Sequence, residues 1–93
     1  MLANIVRLRS HLTNIVEPDF GLSEQLLGLG VLTLAELADV QSQTTVYRRN
    51  AALLEMLSSE DQCRKFVRAL QRTGQQHVAN FITQNGGQTY ALL

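Results

Sequence analysis

Ninety-three residues, 45% of them apolar, suffice for one domain with a modest core and leave no room for a second. Eight basic residues balance eight acidic ones, so net charge is zero and only its distribution can be informative. A single cysteine, Cys63, excludes an internal disulfide, and the absence of any 18-residue apolar run excludes a membrane-spanning segment.

The chain reads as all helix, because strand alternation is nowhere sustained and helix punctuation recurs. A first segment, about 2–16, carries Leu2, Ile5 and Val6 and then Leu8, Leu12, Ile15 and Val16. The second group reads as rotated from the first, which predicts a kinked or split helix. Pro18 and Asp19 suit the start of a second helix, with Leu22, Leu26 and Leu29 on one face, Glu24 opposite, and Gly28 and Gly30 as its stop. "TLAE" at 33–36 fits a capping box, in which the threonine hydroxyl accepts a free first-turn N–H and the glutamate reaches back. Leu34, Leu37 and Ala38 are then expected to face inward, with Glu36 and Asp39 outward. A fourth helix opens near Thr44 and Thr45, burying Val46, Leu53, Leu54 and Leu57 and turning Arg48 away; Asn50 falls on its apolar side and requires a hydrogen-bond partner there. "SEDQ" at 59–62 is a second capping box. The helix it launches places Cys63, Phe66, Val67 and Leu70 on one stripe and Arg64, Lys65, Arg68 and Arg72 on the other side, with Gly74 as C-cap. A last helix near 75–84 offers Val78, Phe81 and Ile82. The domain is expected to span residues 1–85, and 86–93 to form a flexible C-terminal exit.

The N-terminus lacks a small-residue cleavage site, so the chain reads as mature, soluble and cytoplasmic. Little in it suggests chemistry. Cys63 is the only thiol, His11 and His77 are the only imidazoles, and no carboxylates cluster at ligand spacing, so no metal or cofactor is expected. Cys63 lies on an apolar helix face, where thiols are inert packing groups; the chain does not read as an enzyme. "GLG" at 28–30 follows a helix rather than a strand, so it reads as a helix stop and not a phosphate loop.

Binding remains. Residues 1–16 carry Arg7 and Arg9 and no acid, whereas 17–41 carry Glu17, Asp19, Glu24, Glu36 and Asp39 and no base. "TLAELADVQSQTTVYRR" is similar to a helix-turn-helix of a DNA-binding domain, the alternative reading. However, Val40, Gln41, Ser42 and Gln43 occupy the turn where such motifs hold a glycine, and the acids before them would repel phosphate, which disfavours nucleic acid.

"GVLTLAELADVQSQTTVYRRNAALLEML" resembles the third and fourth helices of a caspase recruitment domain (CARD), with its "G-[IV]-L-T" opening, acidic helix 3, "Q-T-T" turn and leucine-rich helix 4. "FVRALQRTGQQHVANFI" resembles that family's ending. The resemblance implies an all-α, six-helix antiparallel bundle, the death-domain fold, with a broken first helix. It also implies homotypic CARD–CARD assembly that recruits caspases or adaptors in apoptotic or innate immune signalling. In such contacts a basic surface of helices 1 and 4 meets an acidic surface of helices 2 and 3. Here those surfaces would be Arg7, Arg9, Arg48 and Arg49 against Asp19, Glu24, Glu36 and Asp39, with Arg9 close to the apolar stripe. Charges opposite an apolar stripe are what any soluble helix shows; their segregation as a set is what points to an interface. One chain bearing both complements can associate head to tail, an arrangement that two-fold symmetry does not close.

Overall fold

The computed structural model describes residues 1–86; residues 87–93, most of the expected C-terminal exit, lie outside the described residues. Among the described residues the chain forms six α-helices and no strand: α1 Leu2–Ile15, α2 Leu22–Gly28, α3 Leu34–Ser42, α4 Val46–Glu55, α5 Glu60–Arg72 and α6 Gln76–Thr83.

The first helix is uninterrupted, not split. At 100° per residue Ile5, Leu8 and Leu12, with Val16 just past the helix end, fall on one stripe, and all four are buried. Val6, which had suggested a second face, is 53% exposed, so nothing in the burial pattern demands a break. The two ends of α1 are capped from elsewhere in the chain. Glu60 Oε1 accepts the Leu2 N–H at 2.9 Å. At the other end the fully buried Asn50 donates through Nδ2 to the carbonyls of Thr13 (3.1 Å) and Val16 (2.7 Å), which are left without helical partners at a C-terminus. These bonds satisfy the Asn50 donor, as its apolar setting required, while its buried Oδ1 has no partner among the described residues.

The second helix begins three residues later than Pro18 and Asp19 suggested. Residues 19–21 form a turn in which Gly21 takes φ 106°, a left-handed conformation open to glycine, and the Asp19 carboxylate is engaged elsewhere instead of capping. The helix stops as expected. Gly30, at φ 77°, lets Val31 N–H donate to Leu26 O (2.9 Å) while its own N–H donates to Leu27 O (3.1 Å), satisfying two end carbonyls.

The capping box of α3 is complete: Thr33 Oγ1 accepts from Glu36 N–H at 3.1 Å, and Glu36 Oε1 accepts from Thr33 N–H at 2.9 Å. Its inward face is narrower than expected. Leu37 and Val40 are buried, whereas Leu34 is 72% exposed and Ala38 is exposed as well. Relative to Val40, Leu34 is rotated by about 120° and Ala38 by about 160°, so both turn outward. Similarly, Val46 in the first turn of α4 is 41% exposed instead of buried. Thr45 caps that helix by accepting from Arg48 N–H at 3.1 Å. Only half of the box at α5 is built as expected. Ser59 Oγ accepts from Gln62 N–H, but Gln62 reaches back to the N–H of Ser58 rather than that of Ser59.

Cys63, Phe66, Val67, Ala69 and Leu70 bury the inner face of α5. Burial pushes the Cys63 thiol above its ordinary pKa, with the Glu60 charge adding to the shift, which keeps the sulfur protonated and unreactive. In the bundle α1 packs against α4, α5 and α6, α2 against α3 and α5, and α3 against α4. Leu22, Leu26, Leu53, Leu54, Val78 and Ile82 complete a core to which each large apolar side chain contributes about 1.5–3 kcal/mol. The loops are joined as well. Gln75, buried at the α5–α6 turn, accepts the Glu17 N–H through Oε1 and donates through Nε2 to the Glu17 carbonyl, both at 2.8 Å.

Candidate interaction surfaces

The eight charged residues singled out above occupy different chemical situations once the helices are packed. Arg49 and Asp19, expected on opposite surfaces, bind each other within the chain. Arg49 Nε lies 2.9 Å from Asp19 Oδ1 and Nη2 3.0 Å from Oδ2, while Nη1 donates to the Gln43 carbonyl at 2.9 Å. This two-pronged pair ties the α1–α2 turn to α4 and to the α3–α4 link, so both charges are engaged within the chain.

Arg7 is exposed on α1, and its Nη2 donates to the Asn85 carbonyl at 3.1 Å and to Asn85 Oδ1, so the turn after α6 lies against it. Arg9 is half-buried at the edge of the α1 stripe, and its buried Nε finds no partner among the described residues. Arg48 differs from all three. It is exposed, and among the described residues its guanidinium forms no hydrogen bond; only its backbone N–H is tied, to Thr45 Oγ1.

On the acidic side, Glu24 is exposed on α2 and accepts from Gln41 Nε2 at 3.4 Å, a contact that links α2 to α3. Glu36 spends one carboxylate oxygen on the capping box. Asp39 is exposed, and among the described residues its carboxylate accepts no hydrogen bond, while its carbonyl accepts from Ser42 Oγ at 2.7 Å and Gln43 Nε2 at 3.5 Å. Arg48 and Asp39 are therefore the least encumbered charges of their respective groups. Because α1 packs on α4 and α2 on α3, the basic residues sit on one helix pair and the acidic residues on the other, with Asp19 on the turn before α2.

Two further surface features emerge, the first on the basic face of α5 that the sequence had indicated and the second unforeseen. The outer face of α5 holds a depression of about 220 Å³ lined by Asp61, Arg64, Lys65 and Arg68; Asp61 partly neutralises it, at 3.0 Å from Lys65 Nζ and 3.9 Å from Arg64 Nη2. Phe20 is 84% exposed in the turn after Asp19, and Tyr47 is 56% exposed beside Arg48. Nothing in apolar periodicity flags an exposed aromatic in a turn or in the first turn of a helix.

Among the described residues no helix is long and apolar enough to cross a membrane. A family model described as CARD, caspase recruitment domain, matches residues 2–85. No curated protein and no solved structure matches the chain. With six helices in the described residues and a match that runs from the first helix to the turn after the last, the chain belongs to the caspase recruitment domain family, whose members are protein-interaction domains.

Proposed function

We propose that this chain recruits and assembles another CARD-containing protein, a caspase or a signalling adaptor, by homotypic contact in the cytoplasm during apoptotic or innate immune signalling. The observation that carries this reading is the partition of charge between two packed helix pairs, α1–α4 and α2–α3. Family membership supplies the class of activity, and the hydrogen-bonding state of each residue supports Arg48 and Asp39 as the leading charges of the surface.

Arg48 leads the basic surface, with Arg7 on the packed helix α1; Arg49 is engaged with Asp19 and Gln43, and Arg9 is half-buried. Asp39, Glu24 and the free oxygen of Glu36 form the acidic one, and Asp19 is spent on Arg49. Each exposed pair contributes only about 0.2–1 kcal/mol and is screened by salt, so several must act together. The same acids would repel a phosphate backbone, which argues against the helix-turn-helix alternative. The reading needs no cofactor and no catalytic group.

Charge reversal is the test. Arg48→Glu or Asp39→Arg weakens binding to a CARD partner by about tenfold, measured by interferometry at low salt, and the opposite reversal on the partner's facing residue restores it. Unchanged binding in both single variants would overturn the charge mechanism.

A further inference from the structure

A strongly charged surface lies outside both charged helix pairs, on the outer side of α5. At 100° per residue Asp61, Arg64, Lys65, Arg68 and Arg72 fall within a sector of about 100°, opposite the stripe that the helix buries. The buried stripe packs on α1, α2 and α6, and the charged sector faces away from all three. Its first two turns hold the depression of about 220 Å³. Two of the lining cations already converge on one anion: Lys65 Nζ lies 3.0 Å from Asp61 Oδ2, and Arg64 Nη2 lies 3.9 Å from Oδ1. Arg68, one turn further on, is exposed, and among the described residues its guanidinium has no hydrogen bond and no ion pair. Three cations and one carboxylate leave the lining with a formal charge of two positive.

We infer that this depression binds a phosphate monoester, the charged group of a soluble phosphorylated metabolite or of a lipid headgroup. Charge selects that chemistry first. A monoester carries about 1.5–2 negative charges near pH 7, which matches the lining, whereas a carboxylate or a phosphodiester carries one. Its three terminal oxygens accept from Arg64, Lys65 and Arg68 together, and a guanidinium meets phosphate oxygens with two parallel bonds. Asp61 marks the place where Arg64 and Lys65 reach an anion, and its own single charge competes with the ligand there. Arg72 lies one turn beyond Arg68, about 5–6 Å away at Cβ, within reach of a second phosphate on the same ligand. The extent of the sector disfavours a nucleic-acid backbone, which takes a long row of cations. Here the row ends at Asp61 on one side and at the Gly74 turn on the other. Because α5 belongs to neither α1–α4 nor α2–α3, the site is independent of the proposed CARD contact.

Titration of the isotopically labelled chain with inorganic phosphate at low salt and about pH 7.5, where the ion is largely doubly charged, tests the site through amide chemical shifts. The expected result is saturable movement centred on α5, with half-saturation at about 1 mM. Arg68→Gln changes an exposed position, keeps the parent's melting temperature and weakens phosphate binding about tenfold. Asp61→Asn removes the competing charge and tightens it. Flotation with phosphatidylcholine vesicles separates the two sources of the ligand. One set carries phosphatidic acid, whose headgroup is a monoester, and the other carries phosphatidylglycerol, a diester. Capture by phosphatidic acid alone assigns the site to a lipid headgroup, and saturable phosphate binding without vesicle capture assigns it to a soluble ester. No saturation by about 10 mM phosphate, or an Arg68→Gln variant that binds like the parent, would overturn the inference. Equal capture by both lipids, or tighter binding of duplex DNA at the same phosphate concentration, would overturn it as well, because neither depends on a monoester.

Discussion

Two polar residues far apart in sequence fix the ends of α1. Asn50 is the costlier to lose, because Asn50→Ala leaves the Thr13 and Val16 carbonyls buried without a donor and opens a small void. Urea unfolding of this variant is expected to show a loss of about 2–4 kcal/mol, well above a surface substitution. Glu60 acts at the opposite end. Its carboxylate is held below the ordinary value of 4.5 first by the Leu2 N–H and then by the Met1 ammonium at 3.2 Å. A depressed carboxylate contributes stability that is complete above the unfolded value and disappears as pH falls through the lower folded one. Stability should therefore fall on acidification below about pH 4.5, and Glu60→Gln should flatten that part of the acid limb in unfolding curves recorded at successive pH values.

At the level of elements, the short helices depend on their caps more than on their length. The nine residues of α3 bury only Leu37 and Val40, and the helix presents Leu34, Ala38 and Asp39 to solvent. Its capping box is correspondingly important. Thr33→Ala removes one prong and strands the Glu36 N–H, for an expected loss of about 1 kcal/mol in urea unfolding. Under the proposed function, in which Glu36 and Asp39 of α3 meet the partner, the same variant should also weaken partner binding even though Thr33 need not touch the partner. In α2 the glycine stop was legible because a residue at positive φ closes the helix locally. Its start was not, since Asp19 looks like a cap in sequence and is a salt-bridge partner in space.

Across the whole molecule, the Asp19–Arg49 pair connects the α1–α2 turn with α4. A double-mutant cycle on Asp19→Ala and Arg49→Ala should give a coupling of about 0.5–1 kcal/mol in the stability of the monomer and none across a CARD–CARD contact. Arg48 and Asp39 should show the reverse, with coupling only in the complex. Local patterns made the helix count, the Thr33–Glu36 box and the burial of Cys63, Phe66, Val67 and Leu70 readable, since each depends on spacings of three or four residues. The ties between Leu2 and Glu60, Asp19 and Arg49, and Glu17 and Gln75 span 58, 30 and 58 positions, and no periodicity encodes them. Leu34, Ala38 and Val46 misled for a related reason. An apolar residue at helical spacing is buried only where another element covers it, and cover is a property of the packed bundle. The charged surfaces were legible as a segregation of sign, but which charges remain uncommitted depends on those same long-range ties.

The reciprocal pairing of Gln75 with Glu17 has a consequence for how the molecule opens. A side-chain amide that both accepts from and donates to one backbone residue works like a rung of a sheet ladder, here set between two loops of a helical protein. Glu17 lies outside any helix, yet its amide hydrogen cannot meet solvent until the α5–α6 turn lifts from the α1–α2 turn. Its exchange with deuterium should accordingly be as slow as that of core helix amides, making a loop position a reporter of global opening.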